Sequence, residues 1–200
     1  MTVCVCIASR GRPNELRRTI EQMCDRSVLL DTHYAVAIDD DDPECLEYGN
    51  LVVRKFGVGI SAPREISLGA KYNRAASYAR SGTTLYVLGV DDCCFSTIGW
   101  DKKLLDAAAK FQDGVGAVYF GPKHDDPYQL PESFAVTKGW IDQVGFFCAP
   151  HFPFWWHETW VDEIVRMTGR YVWADVQWDK HGEHLNKTQR RIRRMEKKLE

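Results

Sequence analysis

Two hydrophobic rhythms alternate along this chain. Runs dense in small, β-branched and aromatic residues fall at 2–8, 33–38, 51–56, 85–90, 115–120 and 171–178. Runs of this kind predict strands, and the continuous apolar run at 85–90 predicts burial on both faces, as in parallel sheets. Between them, apolar residues recur three and four positions apart. Leu16, Ile20, Met23 and Cys24 mark a helix over 14–27, with Pro13 placed to begin it and Glu15 in a first turn where the helix dipole favours an acid. Leu68, Tyr72, Ala75, Ala76 and Ala79 mark another over 67–81, stopped by Gly82, and further helices are predicted over 100–111 and 156–168. Strand and helix in alternation predict an α/β fold, a single domain with a mostly parallel sheet flanked by helices.

The connecting segments read differently. Residues 57–63 read as a loop. Beyond Gly121 the periodicity is lost among Pro122, Pro127 and Pro131, with His124, Asp125 and Asp126 between them, so a long loop is expected. Residues 146–160 hold Phe146, Phe147, Phe152, Phe154, Trp155, Trp156 and Trp160; such a cluster is either core or a rim that stacks on sugar rings or another flat ligand. Past Asn186 the composition turns basic. Ile192, Met195 and Leu199 at helical spacing predict an exposed amphipathic tail over 186–200, leaving 1–185 as the domain.

Composition narrows the function classes. The formal net charge is -2, so nucleic acid is not the default partner. Only the tail concentrates basic charge, suited to an anionic membrane surface, to nucleic acid or to plain solvation. Hydrophobic residues make up 44% and charged residues 27%, the balance of a folded chain long enough for one well-buried core. Seven cysteines, at 4, 6, 24, 45, 93, 94 and 148, include no Cys-x-x-Cys pair. That pattern argues against structural zinc and for reduced, mostly buried thiols in a cytoplasmic compartment. With no signal-peptide pattern and no run near the ~18 apolar residues of a membrane span, a soluble cytoplasmic protein without a transmembrane segment is expected.

Charge is placed at the strand ends. The run at 85–90 stops at Asp91 and Asp92, the run at 33–38 stops at Asp39, Asp40, Asp41 and Asp42 before Pro43, and the first run leads into Ser9-Arg10-Gly11-Arg12-Pro13. Ligands of open α/β sheets bind in the crevice beyond the carboxyl ends of the strands, and an unpaired buried carboxylate is costly. Asp91 and Asp92 therefore ask for a cation, most simply a divalent metal. Asp39 or Asp40 is a ligand candidate on the same ground, the alternative for the four acids being a solvated turn. Arg10 and Arg12, beside Gly11 and a helix N-terminus, suit an anion or nucleotide, or simply solvent. Their loop is neither a Walker A run nor a Gly-x-Gly-x-x-Gly fingerprint. Glu158 and Asp162, four residues apart, share one face of the predicted helix, and His151 reads as a structural histidine among aromatics.

Three segments together carry a resemblance: the first strand with its short basic turn (3–13), the second strand ending in Asp (35–42), and Leu68-Gly-Ala-Lys-Tyr-Asn73-Arg-Ala-Ala76 leading into the strand that ends in the acidic pair (85–92). They resemble the GT-A glycosyltransferases, in particular the family-2-like group and its small bacteriophage versions, over most of 1–185. The resemblance implies a Rossmann-like GT-A fold and transfer of a sugar from a nucleotide-sugar, a UDP- or GDP-sugar, to an acceptor hydroxyl on a glycan, protein or nucleic acid. It implies that Ser9, Arg10, Arg12, Asp39, Asp40, Asn73 and Asp91 bind the donor. It further implies that Asp92, helped by Asp91, holds Mn²⁺ or Mg²⁺ on the donor diphosphate, and that a downstream histidine, His184 first and His181 second, completes the metal site. Val90-Asp91-Asp92-Cys93 departs from a plain Asp-x-Asp, so either carboxylate is left to touch the metal. A hard cation with oxygen ligands suits the charge on a leaving nucleoside diphosphate. Inverting transfer also needs a base for the acceptor proton, and the resemblance implies an acid early in the helix after the acceptor-binding segment, Glu158 or Asp162. Two other readings stay open. One is a nucleotide- or glycan-binding module of the same fold that has lost transfer; the other is a nucleotidyltransferase, whose glycine-rich basic first loop is missing here.

Overall fold

The computed structural model describes residues 2–48, 57–121, 133–152 and 156–180. The described elements run β1 (Thr2–Ser9), α1 (Pro13–Arg26), β2 (His33–Asp39), α2 (Cys45–Tyr48), β3 (Gly57–Ala62), α3 (Leu68–Ser77), β4 (Thr83–Gly89), β5 (Cys93–Phe95), α4 (Trp100–Ala108), β6 (Ala117–Phe120), β7 (Ser133–Thr137), α5 (Lys138–Val144), α6 (His157–Thr168), β8 (Tyr171–Trp173) and β9 (Trp178–Lys180). Seven strands form one sheet in the order β3-β2-β1-β4-β7-β6-β8, while β5 and β9 make a separate antiparallel pair. Only β7 runs against its neighbours in the large sheet. The fold is α/β with a mostly parallel sheet, as expected.

The strands lack polar alternation because both faces of the sheet are covered. Val3, Val5 and Ile7 of β1 join Leu16, Ile20 and Met23 of α1 and Trp100 and Leu104 of α4 in one core. Cys4 and Cys6, pointing the other way, join Tyr72 and Ala75 of α3, Trp140 of α5 and Val161 and Val165 of α6 in a second. Each side chain removed from water contributes roughly 1.5–3 kcal/mol, so neither face could turn polar cheaply.

Polar contacts lock the helices in place. Trp100 Nε1 donates to Met23 O at 3.0 Å, tying α4 to α1. Asp101 is fully buried and accepts from Ser27 Oγ, Leu29 N, Val28 N and Thr32 Oγ1. Burial pushes its carboxyl pKa up, but these hydrogen bonds outweigh burial and hold it below the ordinary value. Ser67 caps α3, accepting from Ala70 N at 3.0 Å and donating to Pro150 O at 2.7 Å. A Cβ on Gly69 would stand 2.2 Å from Ala149 O, so glycine is what lets α3 approach that segment.

Several sequence expectations shift. Residues 57–62 are a strand rather than a loop, paired in register with β2 from Tyr34 opposite Gly57 to Asp39 opposite Ala62; Gly57, Gly59 and Ser61 hide its signal. The strand expected over 51–56 lies outside the described residues. Beyond Gly121, residues 122–132 also lie outside them, but the chain then forms β7 and α5, both unexpected. Residues 171–178 are not one strand: β8 pairs with β6, β9 pairs with β5, and Val176 O accepts from Gly121 N at 2.8 Å between them. The helix expected over 67–81 stops at Ser77. The aromatic cluster divides, with Phe147 buried against Tyr72, Tyr86 and Phe134, Phe146 packed 5.2 Å from Trp160, and Trp156 left 63% exposed. His181, His184 and the tail over 186–200 lie outside the described residues. Among the described residues no helix is long and apolar enough to cross a membrane, and Cys4, Cys6, Cys45 and Cys148 are thiols outside any disulfide.

Candidate active site at the strand ends

β1 lies between β2 and β4, parallel to both, so three carboxyl ends stand side by side, with Ser9 opposite Ile38 and Ile7 opposite Gly89. The turn after β1 reverses direction through Gly11 at φ +66, and its N–H donates to Asp42 Oδ2 at 2.7 Å. Arg12 then caps α1. Its N–H donates to Tyr48 Oη at 2.8 Å, and its carbonyl accepts from Leu16 N at 3.0 Å. The backbone of this basic turn is thereby fixed from two sides.

At the end of β4, Asp91 is buried and its carboxylate is shared. Ser9 Oγ donates to Asp91 Oδ2 at 2.8 Å, and Arg12 Nη1 donates to Asp91 Oδ1 at 3.0 Å. Because the Ser9 hydrogen is spent on Asp91, the Tyr48 hydroxyl, 2.9 Å away, donates to Ser9. Thr19 Oγ1 fixes the same turn through Asp91 O at 3.0 Å. Burial outweighs these partners and pushes the Asp91 carboxyl up to about 6. Asp92 is more open, its side chain 35% exposed, and it accepts from the same Arg12 Nη1 at 3.1 Å.

At the end of β2 the four consecutive acids divide. Asp39, 3% exposed, accepts from Lys71 Nζ at 2.8 Å, Arg10 Nη1 at 3.1 Å and Arg74 Nη2 at 3.4 Å. Burial raises its pKa, and these cations, Lys71 foremost, reverse the sign and hold it below the ordinary value. Lys71 also donates to Ser9 O at 2.7 Å, joining the ends of β1 and β2. Burial draws its own pKa down. Asp40 is exposed, Asp41 pairs with Arg10 at 2.5 Å, and buried Asp42 serves the turns through Gly11 N and Glu44 N.

The remaining candidates separate. Asn73 uses both ends of its amide on the 147–148 backbone, accepting from Phe147 N and Cys148 N at 2.9 and 2.8 Å and donating to Cys148 O at 2.7 Å. Asp162, 3% exposed, accepts from Tyr119 Oη and from Arg166 Nε on both oxygens, each at 2.8 Å. Glu158, with its side chain 28% exposed, lies 3.0 Å from His157 Nε2. The His157 ring stacks 5.7 Å from Tyr72, whose hydroxyl donates to Gly89 O at the end of β4. Burial raises the Tyr72 phenol well above its ordinary pKa, and the charges of Cys148, Glu158, Asp91 and Asp92 add to that. Glu158 thus adjoins the histidine that packs on Tyr72, and Asp162 bonds Tyr119 of β6. No such placement exists for His184, which lies outside the described residues.

Sequence reasoning missed Lys71, Arg74, Tyr48 and Tyr72. Lys71 carried a usable signal, since it adjoins Tyr72 on the packed side of α3 and a buried lysine requires an acid. Tyr48 carried none, because its partners Ser9 and Arg12 are remote in sequence.

Among the described residues no three His, Cys, Asp or Glu side chains converge to hold a metal ion. A hard cation that keeps waters and binds phosphate oxygens needs only one or two protein carboxylates. Asp92, open to solvent, with Asp91 beside it, meets that requirement.

No protein-family model and no curated protein matches this sequence. Solved structures do match in fold. TarS 1–349 from S. aureus has a TM-score of 0.60 at 10% identity, over 90% of this chain and 59% of that one. The mannosyltransferase PcManGT from Pyrobaculum calidifontis, in complex with GDP-Man and Mn²⁺, has a TM-score of 0.67 at 12% identity, over 86% and 54%. S. aureus TarS in a longer form matches with a TM-score of 0.61 at 9% identity, over 90% of this chain and 36% of that one. The chain therefore spans about half the length of the first two, and at such identity the likeness shows the shared α/β fold.

Proposed function

We propose that this chain is a divalent-metal-dependent glycosyltransferase that moves a sugar from a UDP- or GDP-sugar to an acceptor hydroxyl. The observation that carries the proposal is the convergence of the β1, β2 and β4 ends, which sets Arg12 against the open carboxylate of Asp92 and Arg10 against Asp39 and Asp41. The likeness to a mannosyltransferase holding GDP-Man and Mn²⁺ supports the reading at the level of fold.

The roles follow from the contacts. Asp92, with Asp91, would hold Mn²⁺ or Mg²⁺, and when bound the cation supplies positive charge against the leaving diphosphate. The Ser9–Arg12 turn presents two guanidinium groups and a helix N-terminus to the donor, with Ser9 acting through the hydrogen bond by which it positions Asp91. Asp39 and Asp40 face the nucleoside side, Asp39 by holding Arg10 and Lys71 in place. Asn73 shapes the cleft by fixing residues 147–148. His184, or His181, is the proposed further metal ligand; β9 supports this by pairing Lys180 opposite Cys93, the residue that follows Asp92. Of the two candidate bases, Glu158 is favoured, because Asp162 already spends both oxygens on Arg166 and Tyr119. A base has to reach the acceptor proton directly or through one water.

Thermal-shift measurement with UDP and GDP, each with and without MnCl₂, tests the donor class, followed by release of nucleoside diphosphate from UDP- and GDP-sugars. A stabilisation that needs both nucleotide and Mn²⁺ is expected. A nucleotide response without any turnover on a panel of acceptors favours the binding-module reading, and no response to any nucleotide contradicts both.

A further inference from the structure

We infer that Arg12 is an internal counter-ion for the β4 acids, standing in the place a divalent cation would take and giving it up only when the donor diphosphate arrives. The inference rests on the transferase reading and concerns how its site is loaded. A single nitrogen, Arg12 Nη1, lies 3.0 Å from Asp91 Oδ1 and 3.1 Å from Asp92 Oδ2. It bridges the two consecutive carboxylates that would hold the metal. In contrast to the β2 end, where three cations meet Asp39, Arg12 is the one cation in contact with this pair among the described residues.

The backbone of Arg12 cannot follow the side chain. Tyr48 holds its N–H, and Leu16 N holds its carbonyl. Displacement is therefore a change of rotamer in a long side chain already 29% exposed. A free Mn²⁺ ion must expel a positive group whose charge has nowhere better to go. A nucleoside diphosphate changes that balance, because its phosphate oxygens accept a guanidinium in paired hydrogen bonds as well as a carboxylate does. Cation and nucleotide then enter together, each raising the affinity for the other, as linkage requires.

The test is a titration of MnCl₂ alone into the full chain, with free Mn²⁺ read by electron paramagnetic resonance, repeated in saturating UDP and saturating GDP. Wild type, Arg12→Gln, Arg12→Lys, Arg10→Gln and Asp92→Asn are compared. Without nucleotide, Arg12→Gln is expected to bind Mn²⁺ about tenfold or more tightly than wild type, the scale of one charge-assisted contact removed. The enhancement by nucleotide should shrink in that variant. Arg12→Lys, which keeps the charge, should bind as weakly as wild type, and Arg10→Gln should stay within about twofold, since Arg10 pairs with Asp39 and Asp41. An Arg12→Gln variant that gains no affinity overturns the inference, as does an equal gain in Arg10→Gln, which would make the effect one of general charge. If Mn²⁺ binding with nucleotide still depends on Asp92 in either case, the transferase reading survives the loss. If Asp92→Asn matches wild type under every condition, both fall.

Discussion

The ends of β2 and β4 flank the same strand and each finishes in a buried aspartate, but the two acids are compensated in opposite ways. Asp39 has three cations around it and a pKa held down against burial. Asp91 shares one guanidinium with Asp92, and burial pushes it up to about 6. One end is an ion network that knits β1, β2 and α3 together, and at the other, among the described residues, a single guanidinium serves two acids. A site that must receive a cation is better built from the second kind. Helix α6 repeats the contrast, with Asp162 closed by Arg166 and Tyr119 and Glu158 partly exposed beside His157.

The largest expected effect falls on the closed end. Asp39→Asn leaves Lys71 buried without its carboxylate and should cost about 3–5 kcal/mol in urea unfolding at pH 7.5. Because the folded pKa of Asp39 lies below its unfolded value, its contribution is present above pH ~4 and is lost as pH falls through the folded value. The gap from wild type should therefore close in more acidic solution. A loss under about 1 kcal/mol at pH 7.5 would mean that the network is not what secures this end.

On α6, Glu158→Gln should lower transfer about 10²–10⁴-fold with the thermal midpoint little changed, the range for a lost general base. Asp162→Asn should instead lower stability by about 1–3 kcal/mol and keep measurable turnover, since it weakens a buried charge-assisted contact. The reverse result would exchange their roles.

A further stability effect has the opposite sign. Asp91 titrates in the fold near 6, above its unfolded value near ~4, so stability falls as pH rises through that window. Asp91→Asn keeps an acceptor for Ser9 and removes the buried charge. It should gain about 1–3 kcal/mol at pH 7.5 and about nothing at pH 4, read from paired unfolding curves. Destabilisation at pH 7.5 would show that the Arg12 contact outweighs burial.

The meeting of these strand ends was legible in the chain before its structure, though the contrast between them was not. Apolar runs that stop at Ser9, Asp39 and Asp91, together with a parallel order, suffice to bring Arg10, Arg12 and the acids to one edge. What escaped was partnership over long separations. Asn73 stands inside a recognisable segment, yet its amide serves residues 147–148, and no local pattern announces that. Lys71 and Tyr48 act through tertiary contacts alone. The pairing of Asp162 with Arg166 is the exception, since an acid followed four residues later by arginine on a helix is readable as a pair. β3 escaped because glycines replaced the β-branched residues that mark a strand, and its hydrogen bonds to β2 supply what its side chains do not.

The central claim is that Asp92 makes the β4 end a receptor for a nucleoside diphosphate with a divalent ion. Calorimetric titration of UDP and GDP into wild type and Asp92→Asn, with and without MnCl₂, tests it most directly. Wild type should bind one of them in a Mn²⁺-dependent manner, and Asp92→Asn should lose that dependence while its melting temperature stays within about 3 °C, as for a partly exposed substitution. Undiminished Mn²⁺-dependent binding in Asp92→Asn would contradict the account.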